Sequence, residues 1–310
     1  MKIVFMGTPE FAVPILEMLK NRHQVLLVVT QPDKPVGRKR VWTASPVKVK
    51  AMELGLPVFQ PLKLKTDFQL ILDLAPDLII TAAYGQMLPN TLLDQVTAIN
   101  VHGSLLPKYR GGAPIQYALF NGDSHTGITI MYMAYQMDSG DIIRQQSIII
   151  DPKDNFLTLS RKLSFVGQTL LEKVLTEYEK GPLKSIPQDI SKVTFAYTLK
   201  PKDEILSFRK TSQEIINRIR GLAPEPGATA HIKNGIIKIY DAQKNDIIDS
   251  KAIPGTVISI KKQLIVKTTD GAIELLQLQI PGKKQMSAQA FLNGQTIIRE
   301  DDVFIEGNES

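Results

Sequence analysis

The chain has 310 residues, 43% of them hydrophobic and 22% charged, with a net charge of +6. This length and composition suggest two globular domains and exclude wholesale disorder. The absence of cysteine excludes a disulfide scaffold, a thiolate nucleophile, an iron–sulfur cluster and cysteine zinc sites.

Lys2–Met6 reads as a buried strand. In the following Gly7-Thr8-Pro9-Glu10, Thr8 suits a helix N-cap, Pro9 the first helical position and Glu10 the positive end of the dipole. Gly7 fits either a tight turn or a helix N-terminus open to a ligand. Phe11, Val13, Ile15, Leu16 and Leu19 continue at near-helical spacing. Gln24–Thr30 and Leu78–Thr81 are further strand-like runs, with helical patterns near 46–54, 67–75 and 90–96. Ala98–His102, Gly127–Met133 and Ile142–Ile150 continue the strands, and Leu157–Glu179 reads as a long amphipathic helix. Such alternation predicts an α/β domain built on a doubly wound, mostly parallel, Rossmann-like sheet. The dinucleotide fingerprint is missing, because GTPEF has one glycine where three are needed, and no phosphate-binding P-loop is present. No apolar run approaches the roughly 18 residues of a membrane span. The apolar stretch at the start is too short for a signal peptide, so a cytoplasmic setting is expected.

Beyond Gly181 three prolines interrupt a stretch of weak periodicity, the pattern of a linker. A helix near 211–221 and short alternating runs at 228–232, 236–241, 255–260, 264–268 and 272–278 then predict a small β-barrel of the oligonucleotide-binding (OB-like) kind. The expected domains are residues 1–189 with a basic loop inserted at 31–46, a linker at 190–206, and residues 207–310. Charge is uneven: Lys34, Arg38, Lys39, Arg40, Lys48 and Lys50 crowd one early segment, and residues 207–299 hold 14 Lys and Arg against 7 Asp and Glu. The last residues reverse the sign with Glu300, Asp301, Asp302, Glu306 and Glu309, for which solvation is the only role in view.

The chemistry concentrates at Asn100-Val-His102, two polar side chains on one face of a strand end. An amide there can donate to a developing oxyanion, and an imidazole can donate or move a proton. Taken alone, the pair also fits a satisfied structural contact. The loop that follows, with glycines and prolines around Tyr109 and Arg110, is shaped rather than packed. Asp138 sits in a turn between two strands. It suits either turn chemistry or a carboxylate that orients and charges His102. Asp141 fits a turn or strand start. His23, His125 and His231 have no chemical partner nearby in sequence and read as surface or structural. The histidines are scattered, without metal-ligand spacing.

NVHGSLLPKYRGGAPIQ followed by MDSGDI resembles the folate-dependent formyltransferases, whose hallmark is an Asn, a His two residues on and an Asp about 35 residues later. GTPEF, QPDKPVGRKR, SPVK, AAYGQMLP, GITIMYM, RGLAPEPGA and PGKKQMSAQ resemble the members of that family that act on aminoacylated initiator tRNA, in order and over nearly the whole chain. The resemblance implies Asn100, His102 and Asp138 as the catalytic trio and 10-formyltetrahydrofolate as co-substrate, with no metal. It implies contact with the folate ring from Ser104, Leu105, Leu106 and Pro107, and a pocket lined also by Ala83, Tyr84, Gly85 and Gln86. It implies the methionyl initiator tRNA as acceptor, held by Arg38, Lys39 and Arg40 of a mobile arm. Lys283 and Lys284 are further phosphate candidates, and Trp42 could stack on a base or anchor its loop. A cytoplasmic monomer without a membrane partner is the expected state. Two alternatives stand beside this: a relative that formylates a small amine such as glycinamide ribonucleotide or an amino sugar nucleotide, or a non-catalytic RNA-binding protein.

Overall fold

The computed structural model describes residues 1–37, 40–233, 235–247, 251–294 and 297–305, and they divide into two compact units. The first comprises Met1–Pro114, His125–Ile149 and Ser160–Tyr197; the second comprises Ile115–Ser124, Ile150–Leu159 and the chain from Thr198 onward.

The chain begins with strand β1 (Lys2–Gly7), whose residues 3–6 are fully buried. The following helix does not start at Thr8. Glu10–Ala12 form a single 3-10 turn, and α1 (Val13–Arg22) starts beyond it with Pro14 in its first turn. The Thr8 hydroxyl is engaged far along the chain instead: it donates to the Tyr84 carbonyl at 2.8 Å and its oxygen accepts the Gln31 N–H at 3.4 Å, and no side chain caps the 3-10 turn. Gly7 is dictated by close approach, since a Cβ there would lie 2.8 Å from that of Ala12. β2 (Gln24–Val29) comes next, then a short hairpin, β3 (Lys34–Val36) and β4 (Val41–Thr43), within the region expected to be a basic insert. Ser45 caps α2 (Pro46–Glu53) by accepting from the Lys48 amide. β5 (Val58–Phe59), α3 (Gln69–Asp73), β6 (Leu78–Ala82), α4 (Asn90–Leu93), β7 (Ala98–His102), α5 (Pro114–Phe120), β8 (His125–Tyr132), β9 (Ile142–Ile149) and α6 (Phe156–Tyr178) follow.

The first sheet has the order β5-β2-β1-β6-β7-β8-β9. Its first five strands pair parallel, and β8 and β9 are antiparallel. The chain winds outward from β1 in both directions, so β1 and β6 flank the switch point, the place where such sheets open a crevice at their carboxyl ends. The Leu-Ile-Ile-Thr-Ala run of β6 is buried throughout, as a central parallel strand requires. On α6, Leu163, Leu170, Leu171, Val174 and Leu175 recur at helical spacing and are all buried. Each contributes about 1.5–3 kcal/mol of hydrophobic stabilisation. Residues 190–197, within the stretch expected to be linker, are hydrogen-bonded into the first unit: Arg110 N–H donates to Thr194 O at 2.9 Å and Ala196 N–H to Arg110 O at 2.8 Å.

In the second unit α7 (Ser212–Leu222) opens with a capping box in which Thr211 and Glu214 satisfy each other's backbone amides. Its Ile215, Ile219 and Leu222 bury against β10 (Ala228–Ile232), β11 (Gly235–Asn245), β12 (Val257–Ser259), β13 (Leu264–Lys267) and β14 (Ala272–Gln279). β15 (Met286–Ser287), α8 (Ala288–Gly294) and β16 (Phe304–Ile305) complete the unit. The antiparallel order is β12-β13-β14-β11-β10-β16 with β15 on β14. The two edges meet: Thr256 bridges Val303, Val257 N–H donates to Asp302 O at 2.8 Å and Phe304 N–H to Gly255 O at 2.9 Å. The sheet therefore curls into a nearly closed barrel, as the spacing of short strands predicts. The acidic tail does more than stay solvated, because its Phe304 is buried and stacks on Phe208 with ring centroids 4.7 Å apart. Among the described residues no helix is long and apolar enough to cross a membrane.

Candidate active site

β7 ends in the two polar side chains the sequence singles out. Asn100 lies opposite Thr81 of β6, and His102 lies opposite Thr129 of β8. The Thr81 hydroxyl donates to Asn100 Oδ1 at 2.8 Å. With the amide oxygen accepting from Thr81, the Asn100 NH2 group has no partner among the described residues.

His102 is 5% exposed. Its Nε2 lies 2.9 Å from the carbonyl oxygen of Tyr109. A carbonyl only accepts, so Nε2 carries a hydrogen and Nδ1 is the atom left for chemistry. Nδ1 faces Asp138 Oδ2 at 3.7 Å, an ion-pair distance rather than a hydrogen bond. Asp138 sits in its turn at φ +49°, a conformation uncommon outside glycine, asparagine and aspartate. Its Oδ2 accepts the Gly111 N–H at 2.7 Å. Gly111 has φ +124°, and a Cβ there would stand 2.4 Å from the Ala196 carbonyl oxygen, so no side chain fits.

The Arg110 side chain turns to Gln188, donating from Nε at 3.0 Å and Nη2 at 2.8 Å to its amide oxygen. The Gln188 NH2 donates to the carbonyls of Asp138 and Gly140, both at 2.8 Å. The loop after His102 is equally fixed. Ser104 Oγ donates to Lys108 O at 2.6 Å, and Thr129 Oγ1 donates to Ser104 O at 2.6 Å. Thr129 Oγ1 accepts from Leu106 N–H at 3.0 Å and from Gln145 at 2.8 Å. Leu106 is buried; Leu105 and Pro107 are half-buried. Loop 83–86 follows β6, the neighbour of β7. Ala83 and Gly85 have φ of +48° and +93°. Tyr84 is 4% exposed and packs in the core with Leu64, Ile71 and Leu88; its hydroxyl has no hydrogen-bond partner among the described residues, and burial raises its pKa. Its carbonyl accepts from the Thr8 hydroxyl and, at 3.2 Å, from the Gln31 side-chain amide. Gln86 is also committed, accepting from Leu64 N–H at 2.8 Å and donating to Pro61 O at 3.2 Å.

Asn100, His102, Asp138 and the two loops thus converge at the carboxyl ends of β6 and β7. A cavity of about 690 Å³ lined by Leu93, Thr97, Tyr132 and Tyr178 opens at the amino end of β7 instead, away from these groups. Asp141 immediately precedes β9 and accepts from Ser185 Oγ at 3.3 Å, a strand-start role. Arg38 and Lys39 lie outside the described residues. Arg40 directly precedes β4 and is exposed, and Trp42 on β4 is 73% exposed, so it does not anchor its loop in a core. Lys283 and Lys284 are exposed on the β14–β15 connection of the second unit. His23 Nδ1 is buried and makes no hydrogen bond among the described residues, although Glu179 Oε1 approaches it to 3.5 Å. Among the described residues no group of three or more His, Asp and Glu could hold a metal ion. Sequence reasoning missed Thr81, Gly111, Thr129, Gln145 and Gln188. Each acts through a partner remote in sequence, and only the strand register, which puts Thr81 beside Asn100, carries a signal.

A strand-end amide, an imidazole and a carboxylate together can stabilise a developing oxyanion and move a proton. Residues 1–175 match the formyl transferase family and residues 198–296 match the formyl transferase C-terminal domain. The chain belongs to the formyl transferase family. Within it, the methionyl-tRNA formyltransferases of Staphylococcus aureus strains JH1 and N315 are each 48% identical to it over 301 residues, which is 94% of this chain and 96% of theirs. Among solved structures, the N-formyltransferase from Helicobacter canadensis in complex with folinic acid and dTDP-3-aminofucose has a TM-score of 0.67 at 19% identity, covering 89% of this chain and 98% of that one. HypX from Aquifex aeolicus in complex with tetrahydrofolic acid has a TM-score of 0.65 at 14% identity. It covers 92% of this chain, which spans 46% of HypX. These two structures share the fold.

Proposed function

We propose that this chain transfers the formyl group of 10-formyltetrahydrofolate to the amino group of methionine carried on initiator tRNA, as a cytoplasmic monomer. The observation that carries the reading is the strand-end cluster: an Asn100 NH2 free to donate, beside His102 Nδ1, beside the Asp138 carboxylate. The choice of acceptor rests on the likeness to the curated relatives along both units.

The residues fit a folate ring. Two loops of fixed shape, 83–86 and 104–107, flank the cluster, and the half-buried Leu105 and Pro107 leave apolar surface for a flat ring. Ser104 and Leu106 hold their loop in shape, Ala83 and Gly85 supply backbone at positive φ, and Tyr84 and Gln86 hold the floor beneath. When bound, 10-formyltetrahydrofolate supplies the formyl carbon and N10 as leaving nitrogen, so that one C–N bond forms, another breaks and one proton moves from the methionine nitrogen to N10. Asn100 donates to the formyl oxygen as it gains negative charge, a contribution of roughly 3 kcal/mol for one preorganised donor. His102 holds the moving proton at Nδ1, since its Nε2–H is committed to Tyr109. Asp138 offsets the positive charge on the ring while it does so. Arg38, Lys39, Arg40, Lys283 and Lys284 meet tRNA phosphates, and the exposed face of Trp42 offers a stacking surface to an unpaired base.

The test is the acceptor. Purified protein and 10-formyltetrahydrofolate are incubated separately with methionyl initiator tRNA, glycinamide ribonucleotide and an amino sugar nucleotide, and formylated product is counted. Product with the tRNA alone is expected. Product only with a small amine, or none with any acceptor, overturns the proposal.

A further inference from the structure

We propose that Gln188 is a positioning residue for the transfer reaction: its carboxamide ties the Asp138 turn to the Arg110 loop and so sets how the Asp138 carboxylate faces His102. The proposal rests on the reading of Asn100, His102 and Asp138 as the reacting groups.

Asp138 and Tyr109 belong to two irregular segments, and each is a non-glycine residue at positive φ. A positive φ is costly for a residue with a side chain, so each conformation gains from support outside its own loop. The direct bond between the segments, Gly111 N–H to Asp138 Oδ2, uses the same carboxylate oxygen that faces His102. That bond weakens or strengthens as the charge on His102 changes during a turnover. It is a poor choice as the sole fixture.

Gln188 supplies a fixture that leaves the carboxylate alone. It is 9% exposed, and every hydrogen-bonding position of its side chain is used. The two NH2 hydrogens go to Asp138 O and Gly140 O, on either side of Ser139, and so clamp the turn by its backbone. The amide oxygen takes two donors from Arg110, whose own backbone lies between Tyr109 and Gly111. Tyr109 gives its carbonyl to His102, and Gly111 gives its amide to Asp138. One side chain therefore joins the backbone on which Asp138 rides to the loop that holds both His102 Nε2 and Asp138 Oδ2.

Gln188 is itself held at both ends. Two residues upstream, Ile186 and Ile142 exchange backbone hydrogen bonds at 2.8 and 2.9 Å. Downstream, Thr194 and Ala196 pair with Arg110. The segment is thus tied to Ile142 on one side and to Arg110 on the other, and a carboxamide is the one neutral group of this size that offers two donors to carbonyls at one corner and an acceptor to a guanidinium at the other. A leucine offers neither. A glutamate keeps Arg110 but turns an oxygen toward two carbonyl oxygens, unless it is protonated.

The experiment compares the full-length parent, Gln188→Leu and Gln188→Glu by steady-state kinetics with methionyl initiator tRNA and 10-formyltetrahydrofolate, each at pH 6 to 8, with thermal unfolding of every sample. We expect Gln188→Leu to lose kcat by roughly ten- to a hundredfold, the scale of a reacting group displaced by about 1 Å, with KM for both substrates within about twofold. We expect the kcat of Gln188→Glu, as a ratio to the parent, to rise as the pH falls, because a protonated carboxyl regains one donor. An inactive parent overturns the functional reading and this proposal with it. An active parent with unchanged kcat in Gln188→Leu overturns this proposal alone. So does a loss that follows the folded fraction or falls on KM. Should Gln188→Leu not fold, Gln188→Glu decides: a ratio to the parent that does not change with pH overturns the proposal.

Discussion

The hydrogen bond from Thr81 to Asn100 sets the aim of the group expected to stabilise negative charge, and its worth can be estimated. Thr81→Val keeps the shape of a residue that is 3% exposed near the carboxyl end of β6 and removes only the hydroxyl. A buried hydrogen bond of this kind contributes about 1 kcal/mol net. If that preference holds the amide with NH2 toward substrate, its loss lowers kcat by about fivefold, since about 1.4 kcal/mol corresponds to tenfold. The ceiling is the whole contribution of the donor, roughly a hundred- to a thousandfold, which Asn100→Ala removes. The assay is kcat for formylation in a double-mutant cycle. Thr81→Val should cost about fivefold in the parent and nothing in Asn100→Ala, with KM unchanged in both, and Thr81→Ser should restore the parent rate. A Thr81→Val penalty of the same size in both backgrounds would show that the hydroxyl acts on stability and not through Asn100.

Three further outcomes follow from separate parts of the molecule. Phe304→Ala should destabilise the barrel by about 3–5 kcal/mol in urea unfolding, the range for a buried phenylalanine, because it removes the ring stacked on Phe208 where the two sheet edges meet; a loss under about 1 kcal/mol would mean that β16 does not close the barrel. Burial, with help from the nearby N-terminal charge, holds the pKa of His23 below its ordinary value of 6.5 despite Glu179 at 3.5 Å. Folding thus favours the neutral ring, so its contribution is complete above the unfolded pKa and declines as pH falls below about 6.5; the drop in Tm between pH 7.5 and 5.5 should be smaller in His23→Gln, and equal drops would count against it. Replacing Arg38, Lys39 and Arg40 together with alanine should raise KM for tRNA and flatten its salt dependence by about one unit of log–log slope for each phosphate no longer neutralised, leaving KM for the folate unchanged; an equal loss of folate affinity would contradict the assignment.

The long elements were legible because periodicity is a property of the segment itself. β1 and β6 are buried, almost wholly apolar runs, and α6 repeats leucine and valine on one face. The two-residue period of a strand likewise puts Asn100 and His102 on one side of the end of β7. What escaped is what depends on partners far along the chain. β5 and β16 are two residues each and have no period to detect; they are strands only because β2 and β10 lie beside them. Thr8 carries a good capping signature, yet its hydroxyl is taken by Tyr84, 76 residues away. Tyr84 lies in a motif that points to ligand binding, but its ring packs inward. Gln188 stands in a proline-broken stretch that reads as linker, and nothing local marks it as the tie between residues 110 and 138. Residue identities thus pointed to the candidate groups Asn100, His102 and Asp138, while the side chains that hold them in place are fixed by tertiary contact.

The most direct test of the account is single-turnover formyl transfer to methionyl initiator tRNA by the parent and by His102→Ala, with tRNA and folate binding measured on the same samples. The account predicts a rate loss of at least about a hundredfold, the usual scale for a proton-transfer residue, with both binding constants unchanged. A His102→Ala protein that binds both substrates and transfers at the parent rate would contradict it.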